Sequence, residues 1–345
     1  MTYNLGLYFI KNLIMTYSSL FSQIAIAPMI DWTNTHFRIF MRLLAPQALL
    51  YTDMQTPGAI FNNPGKALYY QPVEHPLALQ LGGSVVSELV ECAKKAEKLG
   101  FKEINLNLGC PSDRVLAGKF GACLMSEPNH VAECIKALKE SVSLPVTAKT
   151  RIGIDNQDSY SFFSNFVFHL VEAGCDKLIV HARKAWLKGL SPKQNRTIPP
   201  LHYDYVYAIK KDLPHVPVVI NGNIKTIDDI RDHLEHVDGV MLGRLVCDNP
   251  YAIAEIHKAI FPEDRMLTRA EVVSLYVAYI REALEKAAPL SILLKPLFNL
   301  MHGLANSKAW KAELLRIQQQ KDTTSLTQLP VLIKNLTQAK VSIPN

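Results

Sequence analysis

The chain has 345 residues, 48% of them apolar and 20% charged, with a net charge of +6. That composition supports a large core and excludes wholesale disorder. The six cysteines (Cys92, Cys110, Cys123, Cys134, Cys175 and Cys247) form no C-x-x-C pair and no dense cluster, which excludes a zinc ribbon or a disulfide scaffold and fits a reducing, cytoplasmic compartment.

In chain order, residues 1–21 read as an N-terminal extension. They lack a basic start, a clean apolar stretch and a small-residue cleavage site, so a signal peptide is not expected. No later run is long and apolar enough to span a bilayer. From residue 22 onward, short runs rich in Val, Ile and Leu predict strands at IAIAPM (24–29), LLYTDM (49–54), LALQLGG (77–83) and EINLNLGC (103–110). Four more follow at VTAKTR (146–151), KLIVHAR (177–183), PVVINGN (217–223) and GVMLGR (239–244). Segments such as SELVECAKKAEKLG and HVAECIKALKESV, which lie between them, have helical period. Near-continuous apolar strands alternating with helices imply a parallel sheet covered by helices. Eight such units within residues 22–262 match a closed (β/α)8 (TIM) barrel, typically about 250 residues. A doubly wound open sheet is the alternative, and the absence of G-x-G-x-x-G after the first strand counts against it. After Pro262 the pattern becomes purely helical, so residues 263–345 are expected to form a small helical domain. Residues 265–345 hold 11 Lys and Arg against 5 Asp and Glu, so the whole positive excess lies there. A basic module on a neutral domain predicts a polyanionic partner.

In such a barrel the working face is built from the C-terminal ends of the strands. The sequence places there Pro28-Met29, Asp53-Met54, Gln80, Asn107 with Cys110, Lys149 with Arg151, His181 with Arg183, Asn221-Gly222-Asn223, and Gly243-Arg244. Lys149 lies inside an apolar strand, where an unpaired ammonium is costly. It is either half of a buried ion pair or a cation held against an electron-rich ligand atom. Gln80 either pairs with backbone or, with Lys149, offers donors and an acceptor suited to the edge of a flavin. His181 alone would be a core histidine; its neighbours make it a site candidate. The turns NGN and GR match the barrel phosphate site, with Gly222 and Gly243 allowing close backbone approach and Arg244 a charge-assisted grip.

The stretches APMIDWTNTHFR, ALQLGG, EINLNLGCPSDRV, KTRIG, HARKAWLKGLSPKQNR, INGNI and GVMLGR, in this order, resemble the tRNA-dihydrouridine synthases over residues 22–320. The insert HARKAWLKGLSPKQNRTIPPL resembles the A-type subfamily, which acts on uridines 20 and 20a in the D-loop of tRNA. One departure is NGN at 221–223, where N-G-G is commoner; asparagine tolerates positive φ better than most residues, so little effect is expected. The resemblance implies an FMN-binding TIM barrel followed by a helical tRNA-binding domain. It implies FMN contacts at Pro28, Met29, Ile30, Gln80, Lys149, His181, Asn221, Gly222, Asn223, Gly243 and Arg244. NADPH (or NADH) would reduce FMN, whose N5 gives hydride to C6 of uridine while Cys110 protonates C5.

A general acid must hold its proton at working pH with a pKa not far above it. Free cysteine, at about 8.5, meets both conditions, so Cys110 is expected as a thiol rather than a thiolate. The uridine must be flipped out of the folded RNA to reach the mouth. Asn107 and Arg183 are expected to read its carbonyls and imide. Lys193 and Arg196, with Lys308 and Lys311 around Trp310, are expected at phosphates. No metal and no membrane partner is expected, and the protein is expected to be a monomer. Three rival readings stand beside this one. A flavin dehydrogenase acting on free dihydroorotate would leave the basic tail without a purpose. A lyase or aldolase would use Lys149 as a Schiff base. A non-catalytic RNA-binding protein would leave Lys149, His181 and Cys110 unexplained.

Overall fold

Eight short strands alternate with helices: β1 Ile24–Ile26, β2 Leu49–Tyr51, β3 Leu77–Leu81, β4 Glu103–Leu108, β5 Val146–Arg151, β6 Lys177–His181, β7 Val218–Asn221 and β8 Gly239–Leu242. The structure, a computed structural model, describes residues 23–338. The extension expected over residues 1–21 lies outside the described residues. Each strand pairs in parallel with the next, and β1 pairs with β8, so the sheet closes in strict sequence order. An open doubly wound sheet would leave two edges; this one has none.

The strands alternate faces, as period-two geometry requires. On β4, Ile104, Leu106 and Leu108 are buried on the face opposite Glu103, Asn105 and Asn107. The flanking helices present matching apolar stripes. Helix Val86–Leu99 buries Leu89, Cys92, Ala93 and Ala96, and helix Pro128–Ser141 buries Val131, Cys134, Ile135 and Leu138. That three-and-four spacing is one face of a helix. One further cluster gathers Ala25, Ala27, Leu49, Tyr51, Ala78, Ile179, Val219 and Met241 from six strands. Its small alanines on β1 and β3 leave volume for Tyr51 and Met241.

The described chain divides into two compact units, residues 23–33 with 48–243, and residues 34–47 with 244–338. The first is the barrel with its covering helices. The second is helical, built from Thr35–Leu44, Ala252–Ile260, Arg269–Glu285, Ser307–Gln320 and Leu329–Gln338 among others. The break in sequence pattern at residue 262 falls inside this second unit, because helices Ala252–Ile260 and Arg269–Glu285 both pack on Thr35–Leu44. Its core holds Trp310, fully buried with its indole N–H donating to the Leu297 carbonyl at 2.8 Å. Among the described residues, no helix is long and apolar enough to cross a membrane. No cluster of three His, Cys, Asp or Glu there could hold a metal ion.

Candidate active site

Strand register decides which side chains share the barrel mouth. Asn107 pairs with Lys149, Arg151 with His181, His181 with Asn221, and Asn221 with Met241. Five polar residues on four successive strands therefore sit at one end. Lys149 Nζ donates to Asn221 Oδ1 at 3.3 Å, and Asn221 Nδ2 donates to the Met241 carbonyl at 2.7 Å. Among the described residues Lys149 has no carboxylate partner, so the buried ion pair is not the arrangement found. Burial and then the neighbouring Arg151 lower its pKa to about 7, with Cys110 acting in the opposite sense. Arg151 is itself buried, and its guanidinium donates to the carbonyls of Gly109 (2.8 Å), Lys184 (2.9 Å) and Asn195 (3.0 Å). Burial lowers it to about 10; Cys110 opposes that fall, and Arg196 and Arg183 add to it. The mouth is thus a thiol among several cations.

Cys110 is half-buried just beyond β4, and three contacts fix its backbone. Asn107 Oδ1 accepts from the N–H groups of Gly109 (3.2 Å) and Cys110 (3.0 Å). The Cys110 carbonyl accepts from the Ala122 N–H at 3.0 Å. Gly121 makes that last approach possible: its φ is +76°, and a Cβ there would lie 2.6 Å from the Cys110 carbonyl oxygen. The Cys110 Sγ donates to Ser112 Oγ at 3.5 Å.

Gln80 stands in register with Asn105 of β4. It is 1% exposed; its Nε2 donates to Asn105 Oδ1 (2.8 Å) and its Oε1 accepts from Asn107 Nδ2 (2.9 Å). This is side-chain pairing rather than pairing with the backbone. Pro28 and Met29 are half-buried after β1; Met29 packs on the barrel-strand cluster, and Ile30 is 52% exposed. His181 is buried at the end of β6. After β7, Gly222 (φ +130°) and Asn223 (φ +58°) turn the chain with two successive positive-φ residues. A Cβ on Gly222 would come 3.2 Å from Leu201 Cδ2. A Cβ on Gly243 would meet Ala27 Cβ at 3.8 Å, an ordinary contact distance. Arg244, next in the chain, opens the short helix Arg244–Asp248 and belongs to the helical unit.

Arg183 is buried and donates to the Pro199 carbonyl. Lys193 and Arg196 are exposed on the loop after β6. That loop is pinned by Asn195, fully buried, whose amide bonds Trp186 and Leu190. Lys308 is exposed and Lys311 half-buried on helix Ser307–Gln320, in the helical unit, with Trp310 between them turned into the core. The structure thus joins Asn107, Cys110, Lys149, His181 and Asn221, and keeps Lys308 and Lys311 on the other unit.

Sequence reasoning missed Glu103, Asn105, Thr147 and Lys177, which form a buried polar column beneath the mouth. Thr147 Oγ1 donates to Glu103 Oε1 at 2.6 Å, and Asn105 Nδ2 donates to Thr147 Oγ1 at 2.8 Å. The signal was present: E-I-N-L-N-L alternates polar and apolar residues, which puts three polar side chains on one face of a strand.

Residues 25–338 match the family model for dihydrouridine synthase (Dus). The tRNA-dihydrouridine(20/20a) synthase of Shewanella oneidensis is 48% identical over 306 residues, covering 88% of this chain and 91% of the relative. Those of Vibrio cholerae and Salmonella typhi are 47% and 49% identical over 294 residues, each covering 85% of this chain and 90% and 89% of their own length. Among solved structures, morphinone reductase aligns with a TM-score of 0.47 at 11% identity, over 69% of this chain and 86% of its own. With a family match running through almost every described residue and identities of 47–49% to these relatives, the chain belongs to the dihydrouridine synthase family of enzymes.

Proposed function

We propose that this enzyme reduces uridines 20 and 20a of tRNA to 5,6-dihydrouridine in the cytoplasm, as a monomer, with FMN as its cofactor and NADPH as the reductant. The names of its relatives support the position on tRNA. The observation that carries the chemistry is a thiol whose backbone is held by Asn107 beside the buried cations Lys149 and Arg151.

The mouth fits a flavin mononucleotide on its own chemistry. Lys149 offers a donor without a carboxylate partner, suited to an electron-rich ring edge. The turn Asn221–Asn223 bends through two positive-φ residues, and its backbone N–H groups would take the anion. Gly243, without a side chain, would let a phosphate approach the backbone at the end of β8. These residues, with Pro28, Met29, Ile30, Gln80, His181 and Arg244, would hold the group. When bound, FMN supplies the two electrons that reduce the C5–C6 bond.

The chain's own part is to present the base and deliver a proton. A flipped uridine would meet Asn107, whose Nδ2 keeps a second hydrogen beyond the one given to Gln80. Arg183 would add a charge-assisted donor for a carbonyl. Cys110 Sγ–H then gives its proton to C5. Solvent then returns the proton to the sulfur. Lys193, Arg196, Lys308 and Lys311 would contact phosphates. Replacing Cys110 by Ala tests the assignment. Flavin content should stay at the wild-type level while dihydrouridine formation falls on the order of 100-fold or more, the scale of a lost general acid; wild-type turnover in that variant would refute the role.

A further inference from the structure

A continuous chain of hydrogen bonds runs through the barrel unit from a buried ion pair to the Cys110 loop. At its base, Glu103 accepts at both oxygens: Oε2 from Lys177 Nζ, and Oε1 from Tyr51 Oη (2.7 Å) and Thr147 Oγ1 (2.6 Å). Thr147 Oγ1 accepts from Asn105 Nδ2, Asn105 Oδ1 from Gln80 Nε2, and Gln80 Oε1 from Asn107 Nδ2, at 2.8, 2.8 and 2.9 Å. At the top, Asn107 Oδ1 accepts from the N–H groups of Gly109 and Cys110.

The two ends of this chain are chemically fixed. A carboxylate paired with an ammonium can only accept, and a backbone N–H can only donate. Each group between them accepts on one side and donates on the other. Only one orientation of the three amides satisfies every link, and the demands from the two ends agree. Glu103, Asn105, Gln80 and Thr147 are all buried, so water does not stand in for a lost link, and an unmade bond there is expensive.

We propose that Glu103 is a positioning residue: through Thr147, Asn105 and Gln80 it holds the Asn107 amide with its oxygen toward the Cys110 backbone. This relay lies below the mouth and touches no reacting atom. It rests on the reading given above only in naming Cys110 as the group whose position matters.

The test is amide hydrogen exchange at Gly109 and Cys110, whose acceptor is Asn107, in the full-length flavin-loaded protein. Glu103→Gln keeps an acceptor for Lys177 but turns an NH2 toward Thr147, which removes the charged acceptor at the base. Thr147→Val deletes the second link, and Thr147→Ser keeps its hydroxyl. Exchange at both amides should rise about tenfold or more in Glu103→Gln and Thr147→Val, while Thr147→Ser stays near wild type. The Ala27 amide, which donates to the Leu242 carbonyl on the β1–β8 side of the barrel, should not change. Unchanged exchange at Gly109 and Cys110, an equal rise in Thr147→Ser, or a matching rise at Ala27 would each overturn the relay. If Glu103→Gln does not fold, the Thr147 pair decides alone. A wrong role for Cys110 shows instead as turnover surviving Cys110→Ala, which these exchange rates do not report.

Discussion

Lys149 carries the sharpest electrostatic consequence at the scale of one residue. Its proton is lost at about 7 in the ligand-free protein because burial and Arg151 oppose the charge. In the unfolded chain the same amine holds its proton up to about 10.4. Between those values the unfolded state binds more protons, so stability of the ligand-free protein rises with pH across that window. Binding has the opposite sign. A ligand that needs the ammonium binds the free protein less tightly once that proton is lost, by up to tenfold per unit above about pH 7. FMN affinity of the stripped protein, followed by flavin fluorescence from about pH 6 to about pH 9, should therefore fall with rising pH. In Lys149→Met it should be weaker at low pH and nearly flat. Equal slopes in the two proteins would show that Lys149 does not hold the ring.

The elements divide the work. The barrel strands set the mouth, and helix Ser307–Gln320 carries Lys308 and Lys311 on either side of a buried Trp310. If those lysines meet phosphates, changing both to Glu should weaken tRNA binding at least tenfold and lower the slope of log affinity against log salt by about two. Flavin content should not change, and unaltered binding would remove this helix from the RNA surface. The strands themselves were legible because each is a short apolar run bounded by turn residues, and the strand-end residues Asn107, Lys149, His181 and Asn221 followed from counting them. The relay was not legible. Gln80 and Asn105 lie 25 residues apart and Asn105 and Thr147 lie 42 apart. Their contact depends on strand register, which a single sequence does not display. Arg151 was visible at a strand end, but its three carbonyl partners lie on two other loops. Asn195, buried inside a loop that reads as polar and basic, gave no signal at all.

At the scale of the molecule, chemistry and charge are separated along the chain. The barrel unit holds the thiol, the amides and the buried cations, while residues 265–345 hold the whole net positive excess. A small free pyrimidine would use the first and ignore the second. A folded RNA uses both, since phosphate contacts supply affinity and the flipped base supplies selectivity. The family assignment and the electrostatic layout therefore point to the same substrate class. The most direct test is to map dihydrouridine, position by position, in tRNA from cells that lack this protein. The account predicts loss at positions 20 and 20a, restored by the wild-type gene and not by Cys110→Ala. Intact dihydrouridine at 20 and 20a, or loss confined to positions 16 or 17, would contradict it.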